Sequence, residues 1–354
     1  MKKILVGMSG GVDSSAAALL LMKQGYEVSG CTMKLYDNPD TDIVTRTCCS
    51  IDDIADARSV CYKLGIEHYV FNFKDLFGEK VMDEFADSYI NGRTPNPCIS
   101  CNRRLKFGKM LDRALELGFD GIATGHYAFS VYGEHSGRWL LQCAADPKKD
   151  QTYFLYNMTQ HQLAHTLFPL NGLTKEEIRA LAEENGLITA RKRDSQDICF
   201  VPDGDYAEFI RRRTGKIFPE GDFISPEGKI LGRHKGIINY TVGQRKGLGV
   251  TFGKPVYVTK INAADNTVTL SDEPLAAKEI YLEDVNLISV EKLDAPMEVT
   301  AKVRSTARPQ SAVIYPIENG RMRVEFESPV SNPTPDQACV FYDFDTVVGG
   351  GTII

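Results

Sequence analysis

The feature that most constrains this chain is Ser9-Gly10-Gly11-Val12-Asp13-Ser14-Ser15. The apolar run before it, Lys3–Met8, reads as a fully buried strand, and Ser14–Lys23 after it reads as a helix ended by Gly25. Two adjacent glycines let a backbone approach a phosphate closely, and the free N–H groups and positive dipole of a helix N-terminus attract the anion. Ser9, Ser14 and Ser15 add hydroxyl donors, and Asp13 is placed to hold Mg²⁺ or to orient the loop. No lysine follows the glycines, which excludes a Walker A loop. A plain glycine turn with Ser/Asp capping explains Gly10-Gly11 alone but not the whole motif between a strand and a helix.

The segments that follow keep alternating. Glu27–Lys34 reads as a strand and Ile51–Leu64 as a helix, with Ser50 as N-cap and an apolar stripe through Ile54, Ala57, Cys61 and Leu64. His68–Phe73 is expected to be a strand, Asp75–Ile90 and Arg104–Leu117 helices, and Gly121–Thr124 a strand. Repeated βα units imply a parallel sheet with helices on both faces and a ligand at the carboxyl ends of the strands. Past about residue 215 the texture changes to turn clusters (Phe218–Gly221, Ser225–Gly228) and short alternating runs from Pro255–Ile261 to Ala338–Phe341. These predict small antiparallel β domains, sandwich or barrel.

Composition limits the class rather than the function. The chain has 354 residues, 41 Lys+Arg against 47 Asp+Glu, and 43% hydrophobic residues, which is ordinary for a globular protein of two or three domains. No run approaches the ~18 apolar residues of a membrane helix, and the apolar stretch Ile4–Met8 is too short for a signal peptide. Nine cysteines without a secretion signal fit a reducing cytosol, so a soluble cytoplasmic protein with no membrane partner is expected. The charge is segregated: Lys229–Lys254 carries six cations and no acid, Asn91–Arg113 six cations and one acid, and Asp265–Glu298 nine acids and two cations. A globally acidic chain with concentrated basic segments can still bind a polyanion, although each such run can equally be a solvated face.

Taken with the glycine loop, the remaining motifs are Thr94-Pro95-Asn96-Pro97-Cys98-Ile99-Ser100-Cys101, Thr124-Gly125-His126-Tyr127, Lys149-Asp150-Gln151, Asp194-Ser195-Gln196-Asp197-Ile198-Cys199, Thr241–Gly249 and Gly349-Gly350-Gly351. The loop resembles the PP-loop of ATP pyrophosphatases, and the order and spacing of all the motifs resemble the tRNA-specific 2-thiouridylase family end to end. The resemblance implies a PP-loop ATP-binding catalytic domain (1–205), a central β-rich domain (206–275) and a C-terminal β-barrel-like domain (276–354). It implies ATP-dependent adenylation of the C2 oxygen of the wobble uridine, U34, followed by sulfur transfer to give 2-thiouridine, AMP and pyrophosphate. ATP and Mg²⁺ are the implied cofactors, with Gly7, Met8, Ser9, Gly10, Gly11, Val12, Asp13, Ser14, Met33 and Gly125 at the nucleotide. The implied partners are the anticodon stem-loop of tRNA and a sulfur donor such as a cysteine desulfurase or a sulfur relay carrier. Asn96, Pro97, Cys98, His126, Lys149, Asp150, Gln151 and Gln337 are the implied tRNA contacts, and Arg304 and Arg308 with the Gly243–Gly249 run are candidate phosphate contacts.

Cys199 is the implied persulfide carrier and Cys101 its partner. Arg103, Arg104 and Lys106 follow Cys101, and positive neighbours favour a nucleophilic thiolate. Cys31, Cys61, Cys143 and Cys339 sit in apolar settings and read as core, while Cys48 and Cys49 sit in a polar loop and have no counterpart in the family pattern. Two departures from that pattern stand out: Thr306-Ala307 replaces an Arg-aromatic pair, and Cys98 replaces an Asp. Cys98-x-x-Cys101 with Cys199 matches the ligand count of a [4Fe–4S] cluster with one open iron; the CxxC alone also suits dithiol exchange, and the third cysteine expected in the same site favours the cluster. Two other functions compete with tRNA thiolation. One is a PP-loop synthetase or amidotransferase acting on a small molecule, the other a non-enzymatic iron–sulfur RNA-binding protein. The paired thiols count against the first and the intact nucleotide loop against the second.

Overall fold

The computed structural model describes residues 1–36, 51–192, 198–249, 253 and 255–354, without the side chains of Ile51 and Asp52. The N-cap reading of Ser50, the loop cysteines Cys48 and Cys49, Asp194–Asp197 of the Cys199 motif, and Lys254 lie outside the described residues. In the first part of the chain, β1 (Lys3–Gly7), α1 (Val12–Lys23), β2 (Glu27–Lys34), α2 (Ile51–Leu64), β3 (His68–Asn72), α3 (Lys74–Phe77), α4 (Glu84–Ile90), α5 (Pro97–Cys101), α6 (Met110–Glu116) and β4 (Gly121–Ala123) follow in order. The alternation expected from the sequence is therefore present. Two π-helical stretches, Gly78–Asp83 and Asn102–Lys109, join α3 to α4 and α5 to α6. Such stretches are rare and frequently mark functional sites.

A hairpin, β5 (Phe129–Gly133) and β6 (Arg138–Gln142), then leads through α7 (Gln160–Ala164) to β7 (Thr166–Leu167) and α8 (Lys175–Glu184). The first sheet has the order β3-β2-β1-β4-β7, and every pairing in it is parallel. Because the order reverses between β1 and β4, the ends of these two strands open the crevice where a doubly wound sheet binds its ligand.

After α9 (Tyr206–Thr214) come β8 (Gly221–Ile224), β9 (Ile230–His234), β10 (Tyr257–Asn262) and β11 (Thr267–Ser271), forming a four-stranded sheet of order β10-β11-β8-β9. The expectation of purely antiparallel strands fails here, since β11 and β8 run parallel. The last part contains β12 (Ala276–Leu287), β13 (Met297–Lys302), β14 (Gln310–Pro316), β15 (Met322–Ser331), β16 (Ala338–Asp343) and β17 (Thr346–Ile353). These six strands close into an antiparallel barrel because β12 pairs with both β15 and β17. Closure removes the exposed sheet edges. β6 pairs with β17, so the hairpin from the first part extends the barrel sheet.

Gly349-Gly350-Gly351 belongs to β17 for a steric reason. A Cβ on Gly349 would stand 2.3 Å from the Asn286 carbonyl oxygen, and one on Gly350 would stand 2.7 Å from both the Cys339 carbonyl oxygen and the Tyr156 ring. The cores are shared rather than separate. Phe77, Phe85 and Leu105 pack in one cluster with Phe223, Val258 and Leu270, and Phe107 and Tyr153 pack in another with Val340 and Val347. Cys31, Cys61 and Cys339 are buried as expected; burial pushes the thiols of all three up, Cys61 to about 11. Cys143 is only half-buried, with its thiol also pushed up to about 11.

Candidate functional site

A cavity of about 320 Å³ opens at the carboxyl ends of β1, β2 and β4, within the usual size range of small-ligand pockets. Gly7, Met8, Ser9, Asp13 and Ser14 line it from the loop after β1, and Met33 lines it from β2. Cys98 and Cys101 enter from α5, Gly125 and His126 from the segment after β4, and Cys199 from the segment before α9. The nucleotide and sulfur candidates thus share one cavity. Gly10, Gly11 and Val12 shape the loop without being part of the cavity wall.

The loop is tightly built. Gly10 has a φ of +71°, and a Cβ there would stand 2.6 Å from the Asp53 carbonyl oxygen, so only glycine allows the loop to pass this close to α2. The Ser14 hydroxyl donates to the Gly11 carbonyl (3.1 Å) and accepts from the Ser9 N–H (3.2 Å), while the Ser15 hydroxyl donates to the same carbonyl (2.8 Å). Gly125 makes the second close approach: a Cβ on it would lie 2.7 Å from the Asp13 carbonyl carbon and 2.8 Å from the Ser14 nitrogen.

Asp13 is held by two neighbours. Its carboxylate accepts both bonds of the Lys175 ammonium, at 2.7 and 2.8 Å, and a third from the Tyr127 hydroxyl at 2.7 Å. In this arrangement the Asp13 carboxylate ties the loop to α8 and to the segment after β4. His126 packs beside the Phe107 and Phe168 rings, with Nδ1 2.8 Å from the Thr124 hydroxyl and Nε2 3.5 Å from the Lys106 ammonium. Burial first, and then the Lys106 charge, pull its pKa well below the ordinary histidine value, so His126 stays neutral. A neutral ring that accepts from Lys106 carries its proton on Nδ1.

The cysteine helix is set by local chemistry. The Asn96 side chain accepts from the Cys98 N–H (3.2 Å) as N-cap of α5, and Pro97 takes the first helical position, where no N–H is required. Cys98 is exposed, Cys101 is buried and Cys199 is half-buried. The Tyr36 hydroxyl donates to the Cys199 carbonyl at 2.7 Å, and Phe200 beside it packs edge-on against Phe77 and Phe85. The expected ring of cations around the thiols shrinks to one. Arg103 pairs with Asp284 of the barrel and Arg104 with Glu84, which leaves Lys106 as the cation lining the cavity among the described residues. Among those residues no three Cys, His, Asp or Glu side chains gather closely enough to hold a metal ion. Cys98, Cys101 and Cys199 nevertheless line the same cavity.

The other candidate contacts divide. Gln151 lines the cavity while accepting from the Tyr127 N–H (3.0 Å). Asp150 is spent internally, on the Ala144 N–H (3.1 Å) and the Thr152 hydroxyl (2.7 Å), and Lys149 is half-buried beside it. Gln337 donates to the Thr94 carbonyl (2.6 Å), so the barrel fastens the Pro95–Pro97 loop that carries the cysteines. Arg304 does not present itself as a phosphate contact. Its guanidinium donates to the Val242 carbonyl (2.9 Å) and to the Thr334 hydroxyl (2.6 Å), and burial lowers its pKa. It ties the Thr241–Gly249 loop to the barrel and leaves Arg245 and Lys246 exposed on that loop; Arg308 is also exposed.

Two lysines take places in the site that the sequence does not announce. In sequence Lys106 reads as a neighbour of the thiols, and the fold places it in the cavity wall as well. Lys175 was not singled out at all, because Thr174-Lys175-Glu176-Glu177 is a capping box whose lysine normally faces water.

Comparisons with known proteins add the family. Residues 2–203 match a family model described as the tRNA methyl transferase HUP domain, 207–272 its PRC-barrel domain, and 277–353 an aminomethyltransferase β-barrel domain. The tRNA-specific 2-thiouridylase MnmA of Acetivibrio thermocellus is 54% identical over 357 residues, covering 99% of both chains. Its counterpart in Clostridioides difficile is 48% identical over 353 residues, covering 99% of this chain and 98% of its own. Among solved structures, the U34-tRNA thiolase NcsA of Methanococcus maripaludis with its [4Fe–4S] cluster is 21% identical, with a TM-score of 0.38 over 60% of this chain and 64% of that one. The methyltransferase wording of the family models and the thiouridylase names of the relatives differ, and a cavity that joins a nucleotide loop to cysteines agrees with the latter. No described helix is long and apolar enough to cross a membrane. The chain belongs to the tRNA-specific 2-thiouridylase family, the tRNA sulfurtransferases that 2-thiolate uridine 34.

Proposed function

We propose that this chain thiolates U34 through an adenylated base and a cysteine persulfide, using the single cavity in which the glycine loop, Cys101 and Cys199 meet. That shared cavity is the observation that carries the reading. The loop N–H groups would hold the phosphates of ATP and Met33 would meet its adenine, with Mg²⁺ as the accompanying cation. Its chemistry when bound is to neutralise phosphoryl charge. U34 is splayed from the anticodon loop, as a base must be for its C2 oxygen to reach the nucleotide.

The C2 oxygen attacks the α-phosphorus, the α–β bridging bond breaks, and pyrophosphate leaves. Adenylation is needed because a urea-type oxygen is a poor leaving group. The terminal sulfur of a Cys199 persulfide then attacks C2, and AMP departs with the former carbonyl oxygen. The Cys101 thiolate attacks Cys199 Sγ and breaks the persulfide S–S bond. This leaves 2-thiouridine and a Cys101–Cys199 disulfide. Cys98, three residues away and exposed, passes that disulfide to a solution dithiol. Lys106, held by neutral His126, supplies the positive charge facing the developing phosphoryl and thiolate charge. A cysteine desulfurase or a sulfur relay carrier reloads Cys199. Arg245 and Lys246, together with Lys149, face the stem phosphates.

The experiment is RNA-dependent nucleotide turnover. ATP is expected to give AMP and pyrophosphate only when a tRNA with an unmodified U34 is present. ATP–pyrophosphate exchange without RNA would move the reading to a small-molecule synthetase.

A further inference from the structure

We propose that Lys175 is the positioning residue of the nucleotide loop: its ammonium cancels the Asp13 carboxylate so that the loop accepts a triphosphate. The inference rests on the reading of the loop as the ATP site. Asp13 stands in the first turn of α1 and lines the cavity. A carboxylate suits the positive end of a helix dipole, but it occupies the place where the loop N–H groups would face phosphate. Left ionised and unpaired, it repels a polyphosphate at close range in a partly dry site.

Lys175 is badly placed for any purpose of its own. It stands in the first turn of α8, where the dipole disfavours a cation, and it is only 7% exposed, which strips its hydration. What compensates is Asp13: both carboxylate oxygens lie within 2.8 Å of Nζ. The Tyr127 ring faces the ammonium at 5.9 Å, and the Tyr127 hydroxyl holds the same carboxylate. Tyr127 follows Gly125 and His126, so one cluster fixes the loop, the end of β4 and the start of α8 together.

A purely structural bridge between α1 and α8 makes a different prediction from charge cancellation, and a double variant separates the two. Binding of ATP with Mg²⁺ is measured without tRNA on the full chain, with thermal unfolding followed in parallel. Lys175→Met is expected to weaken ATP binding at least tenfold, and Lys175→Arg to stay within a few-fold of the parent. Asp13→Asn combined with Lys175→Met is expected to recover most of the loss, because the uncompensated charge has gone even though the bridge has not returned. If Lys175→Met does not fold, recovery of folding and ATP binding in the double variant supports the same conclusion. A double variant that binds as weakly as Lys175→Met, or that fails to fold, overturns the proposal, as does a Lys175→Met variant that binds like the parent. Absence of ATP binding by the parent would sink the reading of the loop itself.

Discussion

Cys199→Ser is expected to yield no detectable 2-thiouridine while still converting ATP to AMP and pyrophosphate in the presence of tRNA. The oxygen that replaces the sulfur cannot carry a persulfide, so the second half of the reaction has no nucleophile. The first half uses only the loop, the nucleotide and the base. The substitution also keeps the side chain's size: Cys199 is half-buried, and the bond from the Tyr36 hydroxyl goes to a backbone carbonyl that serine retains. Nucleoside analysis of the product tRNA and AMP release from the same reaction check both halves. Normal thiolation by this variant would remove Cys199 from its role.

Gly125→Ala is expected to stop both halves together, lowering AMP release and thiolation at least a hundredfold, about 2.7 kcal/mol in barrier terms. The new Cβ has no soft neighbour to displace, since it meets the backbone of Asp13 and Ser14 below 3 Å. Either the end of β4 or the first turn of α1 must move, and the loop N–H groups move with it. Overpacking of this kind costs about 1–3 kcal/mol of stability, which a chain of this size tolerates, so the variant should still unfold cooperatively. AMP release at the parent rate would show that the crevice between β1 and β4 is not where the phosphates bind. The contrast between a variant that loses one half-reaction and one that loses both is itself informative.

Much of this architecture was legible because local signals and global fold agree. The buried strand before the glycine loop, the capped helices and the turn clusters past residue 215 all point the same way in sequence and in space. What escaped did so for identifiable reasons. β17 carries three consecutive glycines, which argue against a strand until the close approach of Asn286 and Tyr156 is known. β12 hides its alternation behind register shifts near Glu279 and Asp284. The parallel β8–β11 pair brings together strands separated by two others, which no local pattern records.

At the site, the cysteines and the loop announce themselves by spacing, but the partners of charges do not. Arg103 and Arg104 look like thiol activators in sequence, yet they are spent on Asp284 and Glu84. Arg304 looks like a phosphate contact and is a staple between the Thr241–Gly249 loop and the barrel. Lys175 reaches Asp13 across 162 positions, and only folding reveals that pairing.

The most direct measurement is reconstitution with iron-free protein, ATP, Mg²⁺, unmodified tRNA and a persulfide donor, followed by mass spectrometry of the tRNA nucleosides and assay of AMP. The account predicts 2-thiouridine at position 34 only, one AMP for each sulfur incorporated, and no gain when iron is restored. Thiolation that appears only after a cluster of about four iron per chain is rebuilt, and is lost in Cys98→Ala, Cys101→Ala and Cys199→Ala alike, would contradict the persulfide route.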